Sequence, residues 1–244
     1  MPQQKNKDSQ KSKDNQEPMP KLYIKHKKFT TRQNEFLDIA FDQQTKIMFI
    51  SGPAGSTKTF MSVYAGLKEM SGNDDLDILY VRTVIESAEK GLGFLPGDME
   101  EKLNPYMAPL KDKLDEMLPV KTSPTIQRQL LERGRVQAMP INYLRGASWT
   151  NKIIVADEAQ NFTFQELTTL ITRLGEDSKL FICGDPMQSD INSRSGFMPM
   201  YDIFNDNESE SKGIHCFAFT ESDIKRSQIL KYIIKRLKYH KKGV

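Results

Sequence analysis

Residues 51–59 read Ser-Gly-Pro-Ala-Gly-Ser-Thr-Lys-Thr and directly follow the apolar run Ile47-Met48-Phe49-Ile50. A strand that leads into a glycine-bearing loop, a Lys-Thr pair and a helix is the layout of a P-loop, in which backbone N–H groups and a helix N-terminus surround a phosphate chain. In that layout Lys58 reaches the β- and γ-phosphates, and the Thr59 hydroxyl contacts Mg²⁺. The segment therefore predicts an α/β nucleotide-binding domain.

One position departs from the P-loop pattern, which has glycine immediately before the lysine. This chain has Thr57 there, and the Cβ of threonine restricts the backbone freedom that glycine would give. The other fixed positions are intact, so the departure bears on the rate of hydrolysis more than on the existence of the site. A Gly-Pro turn that opens an ordinary helix is the alternative interpretation.

A second motif follows another apolar strand. Residues 153–156 read Ile-Ile-Val-Ala, and Asp157 and Glu158 come directly after them. Mg²⁺ prefers oxygen ligands and retains several waters, so one carboxylate near the P-loop hydroxyl is sufficient, and we assign this role to Asp157. Glu158 is then available to orient and deprotonate the attacking water. An Asp-Glu pair at a solvated strand end is the alternative.

Two glutamines are further candidates for contacts with a nucleotide. Gln188 ends the Gly-Asp-Pro-Met-Gln run that follows the apolar strand 179–183, where it would contact the γ-phosphate. Gln33 lies upstream of the P-loop, where a bidentate pair with adenine is expected. A plain Gly-Asp-Pro turn and a solvated glutamine at a helix start are the respective alternatives.

Composition limits the class of protein. The 244 residues are 38% hydrophobic and 27% charged, and no run approaches the roughly 18 apolar residues of a membrane helix. The two cysteines, Cys183 and Cys216, are too few for a disulfide framework or a zinc site. We therefore expect a cytoplasmic protein without a membrane partner.

The excess of positive charge is concentrated at the two ends of the chain. Residues 1–28 hold eight lysines against three acids, and residues 225–244 hold eight Lys or Arg and no acid. Basic ends of this kind suggest a polyanion such as RNA or DNA as the partner. Solubilising tails are the alternative.

The hydrophobic pattern predicts one domain rather than two. We expect a disordered basic tail at 1–22 and a single domain at 23–240, with a helical insertion at about 86–134. Pro105 and Pro109 interrupt the apolar periodicity of that insertion, which predicts a kinked or broken helical arm. Residues 205–213 are expected to form an acidic loop, and residues 224–239 a basic amphipathic helix.

Taken together, these motifs resemble the PhoH family of bacteria and their phages. The resemblance covers roughly residues 25–235 and rests on the P-loop, the Asp-Glu-Ala-Gln run at 157–160 and the Gly-Asp-Pro-Met-Gln run at 184–188. The Gly-Leu-Gly-Phe-Leu-Pro-Gly-Asp stretch at 91–98, with its flanking arm, is the more family-specific part, and Leu-Arg-Gly at 144–146 and Asp-Ile-Lys-Arg at 223–226 are supporting matches. It implies a RecA-like fold with a mostly parallel sheet, helices on both faces, ATP and Mg²⁺ as ligands, and a hexameric homo-oligomeric ring. For a phage-encoded chain the location would be the host cytoplasm.

Phosphoryl transfer also gains from an arginine aimed at the developing charge. Arg194 and Arg226 are the candidates, used in cis or supplied by a neighbouring subunit. The candidate catalytic residues are Lys58, Glu158, Gln188, Arg194 and Arg226, and the candidate metal contacts are Thr59 and Asp157. Nucleotide contacts are expected from Gln33, Gly52, Pro53, Ala54, Gly55, Ser56, Thr57, Lys58, Thr59 and Phe60.

The leading functional hypothesis from the sequence is an ATP-driven, helicase-like motor that acts on RNA or single-stranded DNA. A P-loop kinase is one rival, although the Asp-Glu-Ala-Gln signature suits activation of water better than activation of a substrate hydroxyl. A regulatory or scaffold subunit that binds ATP with little turnover is the other, and Thr57 is the feature that favours it.

Overall fold

The computed structural model describes residues 22–83, 99–119, 123–143 and 149–224, together with Ile229, Tyr232, Ile233 and Arg236. The predicted tail up to residue 21, the Gly-Leu-Gly stretch, the Leu-Arg-Gly loop and most of the predicted C-terminal helix lie outside these residues. Within the described part, the strands are β1 Ile47–Ser51, β2 Asp77–Arg82, β3 Val136–Pro140, β4 Lys152–Asp157, β5 Lys179–Gly184 and β6 Ile214–Ala218. The α-helices are α1 Thr31–Phe41, α2 Lys58–Gly72, α3 Met99–Met117, α4 Ser123–Glu132, α5 Phe164–Ile171, α6 Phe197–Phe204 and α7 Asn207–Ser211.

The six strands form one sheet in the order β3-β2-β4-β5-β1-β6, and every pairing in it is parallel. Strand β5 separates the P-loop strand β1 from the carboxylate strand β4. Because all strands run in one direction, their carboxyl ends meet at a single edge, which is where open α/β sheets bind ligands. The predicted α/β, RecA-like architecture is confirmed, and the sheet is entirely parallel in the described residues.

Helices cover both faces of the sheet. In β1, Met48 and Ile50 belong to the core beneath α1 to α4, whereas Ile47 and Phe49 belong to the core beneath α5 and α6. Successive side chains of a strand point to opposite faces, so a strand that is covered on both sides must be apolar throughout. This explains why the strand sequences are continuous apolar runs rather than alternating ones.

The structure of the helical arm differs from the prediction that its prolines interrupt it. Helix α3 is a single helix from Met99 to Met117 that continues through Pro105 and Pro109, so the prediction of a broken arm is wrong, whereas a kink at the prolines stays a prediction. A proline inside a helix costs roughly 3 kcal/mol, and burial of large apolar side chains offsets a cost of this size. The residues of α3 that are buried in the core are Tyr106, Leu110, Leu114 and Met117.

Two short helices were missed by the sequence analysis. Helix α6 follows the Ser-Arg-Ser-Gly segment, and helix α7 lies inside the stretch that was predicted to be an acidic loop. The Asp206 carboxylate caps α7 by accepting a hydrogen bond from Ser209 N at 2.7 Å. None of the described helices has the length and apolar character that crossing a membrane requires.

Candidate functional site

The loop after β1 has the backbone shape of a P-loop. Gly55 adopts a left-handed conformation with φ of 78°, and α2 begins at Lys58. A Cβ on Gly52 would come within 2.8 Å of Ser56 Oγ and 2.9 Å of Phe219 Cβ, so only glycine fits at that position. Because the first N–H groups of a helix have no acceptor within the helix, this loop and the start of α2 present backbone donors to the edge of the sheet.

Lys58 lies across the loop. Its Nζ donates to the carbonyl oxygens of Gly52 at 2.6 Å and Pro53 at 3.1 Å. Burial lowers the pKa of Lys58, and the nearby carboxylates, Asp185 first among them, act in the opposite direction. The ammonium group is therefore held inside the loop next to the acidic residues at the strand ends.

Thr59 and Asp157 meet, as the sequence analysis required of a magnesium site. Thr59 Oγ1 donates to Asp157 Oδ1 at 2.5 Å, although 98 residues separate the two in sequence. The other oxygen, Asp157 Oδ2, accepts a short hydrogen bond from the hydroxyl of Tyr80, which is fully buried in β2. Both oxygens of this carboxylate are thus fixed by hydroxyl groups from two different elements.

Glu158 turns into the same cleft because the strand ends abruptly there. Adjacent strand residues point to opposite faces, but Glu158 has φ of 55° and ψ of 38°, a left-handed conformation that ends the alternation. Its Oε1 lies 4.0 Å from Arg82 Nη2, and its Oε2 accepts a hydrogen bond from Gln160 Nε2 at 2.6 Å. Two polar partners therefore orient the candidate base.

Gln160 connects Glu158 to the segment that follows β5. Its amide oxygen accepts from Asp185 N at 2.9 Å, and its backbone carbonyl accepts from Ser189 Oγ at 3.0 Å. Gln188 lies in the 3-10 turn between these two residues and lines the cleft. The nearly buried side chain of Gln160 thus links Glu158 to the start of the turn that contains Gln188.

These elements enclose the P-loop cleft, which has a volume of about 620 Å³. Of the predicted site residues, the cleft wall contains Gln33, Ala54, Gly55, Thr57, Lys58, Thr59, Phe60, Asp157, Glu158 and Gln188. Gly52, Pro53 and Ser56 lie in the loop but do not form part of this wall. Arg194 is exposed and lies outside the wall, and Arg226 is outside the described residues.

Several residues of the site were not among the predicted ones. Tyr80 was interpreted only as part of an apolar strand, yet its hydroxyl reaches Asp157. Lys113 of the helical arm lines the cleft, as does Lys27, which pairs with Glu116 at 2.6 Å. No short motif marks these residues. Tyr80 reaches the site through the pairing of β2 with β4, and Lys113 and Lys27 reach it through the packing of α3 and of the segment before α1.

The chemistry of the site fits a nucleotide with Mg²⁺. The volume lies within the range of small-molecule sites, and backbone donors together with Lys58 suit phosphate oxygens. Thr59 and Asp157 supply the hard oxygen ligands that Mg²⁺ prefers, alongside waters and substrate phosphates. Among the described residues there is no cluster of three or more His, Cys, Asp or Glu side chains that could hold a metal on its own.

Curated proteins from several bacteria are similar to this chain. A PhoH-like protein of Synechocystis is 33% identical over 207 residues, which cover 84% of this chain and 60% of that protein. A PhoH-like protein of Mycobacterium tuberculosis is 34% identical over 207 residues, which cover 84% and 56% respectively. Protein PhoH of Escherichia coli is 35% identical over 149 residues, which cover 61% and 41%. The chain spans about half the length of the curated relatives it matches.

Among solved structures, a chain from a structure of two coordinating Pif1 helicases at forked double-stranded DNA aligns with 80% of this chain and 44% of its own length. The sequence identity is 14% and the TM-score is 0.34, a likeness too low to support an argument about function.

The sequence model of the PhoH-like protein family matches residues 24–238. This range contains the P-loop, the carboxylate strand, Gln188 and the helical arm, so it includes every element of the cleft described above. The resemblance drawn from the motifs is therefore confirmed over most of the chain. With its P-loop NTPase fold, the chain belongs to the PhoH-like protein family.

Proposed function

We propose that this chain binds ATP with Mg²⁺ in the P-loop cleft and hydrolyses it to drive a helicase-like motor. The observation that carries the proposal is the 2.5 Å contact between Thr59 Oγ1 and Asp157 Oδ1, which unites the P-loop with the carboxylate strand. A hydroxyl and a carboxylate at this place form the magnesium site of P-loop enzymes. Mg²⁺ bound there would neutralise charge on the β- and γ-phosphates.

Each side chain of the cleft then has a distinct task. Lys58 supplies positive charge inside the loop, and Thr59 with Asp157 holds the metal. Glu158 accepts the proton of the attacking water, and its two partners, Arg82 and Gln160, keep its carboxylate oriented. Gln188 lines the same cleft from the turn that follows Asp185, and this supports the response to the γ-phosphate that we assign to it.

Tyr80 is a positioning residue for the metal carboxylate, and the variant Tyr80→Phe tests this. Loss of the hydroxyl leaves Asp157 Oδ2 without its donor, so we expect the Mg²⁺ concentration for half-maximal ATPase to rise by ~3 to 10-fold, the effect of one net hydrogen bond. A titration of ATPase rate against Mg²⁺ measures this shift. Tyr201→Phe removes a half-buried hydroxyl from α6 on the opposite face of the sheet and should leave the titration unchanged. An unchanged Mg²⁺ requirement in Tyr80→Phe contradicts the role.

The proposed substrate of the motor is RNA or single-stranded DNA. The basic chain ends support a polyanion partner. Arg194 is exposed and outside the cleft wall, where it is accessible to a neighbouring subunit, and this supports an arginine supplied in trans within a homo-oligomer. A hexameric ring is the form that we propose, because one RecA-like domain cannot clamp a strand between two moving halves.

The experiment that tests this function is ATP hydrolysis measured with and without single-stranded RNA and DNA, alongside the mass of the assembly in solution. We expect single strands to raise the hydrolysis rate several-fold, and we expect the stimulation to fall steeply with salt concentration. If neither RNA nor DNA stimulates hydrolysis and the chain stays monomeric in the presence of ATP, the result argues against a motor. Hydrolysis in that case still supports the ATPase itself.

A second candidate function is a subunit that binds ATP and turns it over only slowly. The observation that favours it is the left-handed backbone of Thr57, with φ of 72°, in the loop that must contact phosphates. A β-branched residue in this conformation is strained and can hold the loop away from its best catalytic geometry. If the strain at Thr57 slows hydrolysis, Thr57→Gly should raise the ATP turnover sharply. If the chain is already an efficient motor, the same substitution should give no such gain.

A further inference from the structure

Thr57 occupies a conformation that threonine rarely adopts. Its φ of 72° and ψ of 12° place it in the left-handed region, where a β-branched side chain crowds its own backbone. As the residue before α2 it is in the N-cap position, yet its hydroxyl makes no capping bond to the helix. The threonine therefore strains the backbone without capping the helix. The hydrogen bond that its hydroxyl does make points to another role.

That hydroxyl faces Gln33. Thr57 Oγ1 accepts a hydrogen bond from Gln33 Nε2 at 2.8 Å. On the other side of the same amide, Gln33 Oε1 accepts from the backbone N–H of Thr30 at 3.1 Å, as part of the capping box of α1. A backbone N–H can only donate, so the atom facing Thr30 must be the oxygen, and the NH₂ group must face Thr57. The amide orientation is thus fixed from both sides.

Some hydrogen-bonding capacity of Gln33 remains for a ligand. The amide has two N–H donors and two lone pairs, and the contacts with Thr57 and Thr30 use one of each. Gln33 is only 2% exposed, and it lines the P-loop cleft. One donor and one acceptor are thus left on a nearly buried side chain whose orientation is set.

A donor next to an acceptor complements adenine but not guanine. Adenine presents the N6 amino donor beside the N7 acceptor, whereas guanine presents two acceptors, O6 and N7. An amide that is free to turn presents its oxygen to the N6 amino group of adenine only part of the time. It therefore loses part of its selectivity for adenine over guanine. An amide that is held in place discriminates between the two bases.

We propose that Thr57 is a specificity-determining residue that acts through Gln33. Its hydroxyl holds the Gln33 amide in the orientation that reads adenine, and so links the base contact to the turn of the P-loop. Glycine at this position would relieve the backbone but leave the amide without this acceptor. The inference rests on the proposed function, because it requires a purine nucleotide in the P-loop cleft.

The test compares the dissociation constants of ATP and GTP by equilibrium displacement of a fluorescent ADP, which does not depend on hydrolysis. The wild type should prefer ATP. Thr57→Val keeps the branched shape and loses the hydroxyl, and Thr57→Gly loses the hydroxyl and the strain together. Both should lower the preference for ATP over GTP by ~3 to 10-fold, the effect of one net hydrogen bond. Thr57→Ser keeps the hydroxyl and should stay within about twofold of the wild type, a difference smaller than that bond.

A double-mutant cycle separates positioning from a general disturbance of the loop. Gln33→Met keeps the length of the side chain and removes both groups of the amide, so Thr57→Val should not change the ATP to GTP ratio further in that background. The inference is overturned if Thr57→Gly keeps the full wild-type preference for ATP over GTP. It is also overturned if Thr57→Ser loses as much of this preference as Thr57→Val does. A wild type that binds ATP and GTP equally well also overturns it. Failure of the wild type to bind either nucleotide, with Lys58→Ala indistinguishable from it, overturns the proposed function instead.

Discussion

Glu158→Gln is expected to lower the ATP turnover number by ~10² to 10⁴-fold, the usual contribution of a positioned general base. Glutamine has nearly the same shape and still offers an oxygen to Gln160 Nε2, which contacts Glu158 Oε2 at 2.6 Å. It cannot accept the proton of the attacking water. The affinity for ATP should therefore stay within about threefold, because the change removes an interaction made in the transition state rather than in the ground state.

Single-turnover hydrolysis and equilibrium binding, measured on the same preparation, check these two expectations separately. Glu208→Gln is the matched control, since Glu208 is an exposed glutamate of α7 that lies outside the P-loop cleft. This control should hydrolyse ATP at the wild-type rate. Wild-type turnover in Glu158→Gln would move the base role to another residue, and Asp185 of the cleft wall would be the next candidate.

The sequence could predict the centre of the site because its geometry follows from topology. A strand, a phosphate loop and a helix in succession imply a parallel sheet, and parallel strands bring their carboxyl ends to one edge. Thr59 and Asp157 were therefore expected to meet, and the structure brings them into hydrogen-bond contact. The parallel strands alone imply the shared edge, whereas the close approach of the two residues depends on the strand order, in which one strand, β5, lies between β1 and β4.

The partners that orient the candidate catalytic groups could not be predicted in this way. Tyr80 reaches Asp157 because β2 pairs with β4 in a register that places Arg82 opposite Asp157. Strand order and register follow from the packing of all the helices together, and a single sequence does not display them. An apolar strand containing one tyrosine therefore predicts core burial and nothing about its hydroxyl.

The helical arm shows the limit of a local rule. The prolines of α3 predict an interruption when the helix is considered alone, yet the helix is continuous. Its apolar face is buried in the core, and that long-range burial outweighs the local cost of proline. The same packing brings Lys113 to the P-loop cleft, so the error about the helix and the omission of this lysine have one cause.

Lys58→Ala is expected to weaken ATP binding by at least ~10 to 100-fold, since hydrogen bonds that involve a charged group are worth more than neutral ones. The charges of the cleft make the effect large. Its wall holds four cationic side chains, Lys27, Lys58, Arg82 and Lys113, and four acidic ones, Glu116, Asp157, Glu158 and Asp185. Removing Lys58 leaves this wall with a net negative charge where the proposed polyanion would enter.

The pH dependence of binding provides an independent check on the same residue. Burial lowers the pKa of Lys58 from its ordinary value of 10.5, so the free protein loses this charge at a lower pH than exposed lysines do. ATP affinity should therefore decline as the pH rises through the alkaline range, and Lys58→Ala should lack this part of the decline. Lys212→Ala, which removes an exposed lysine outside the P-loop cleft, should bind ATP and respond to pH as the wild type does. If Lys58→Ala retained wild-type affinity and a native thermal melt, the triphosphate would have to bind elsewhere, because no phosphate chain can occupy this loop without meeting its lysine.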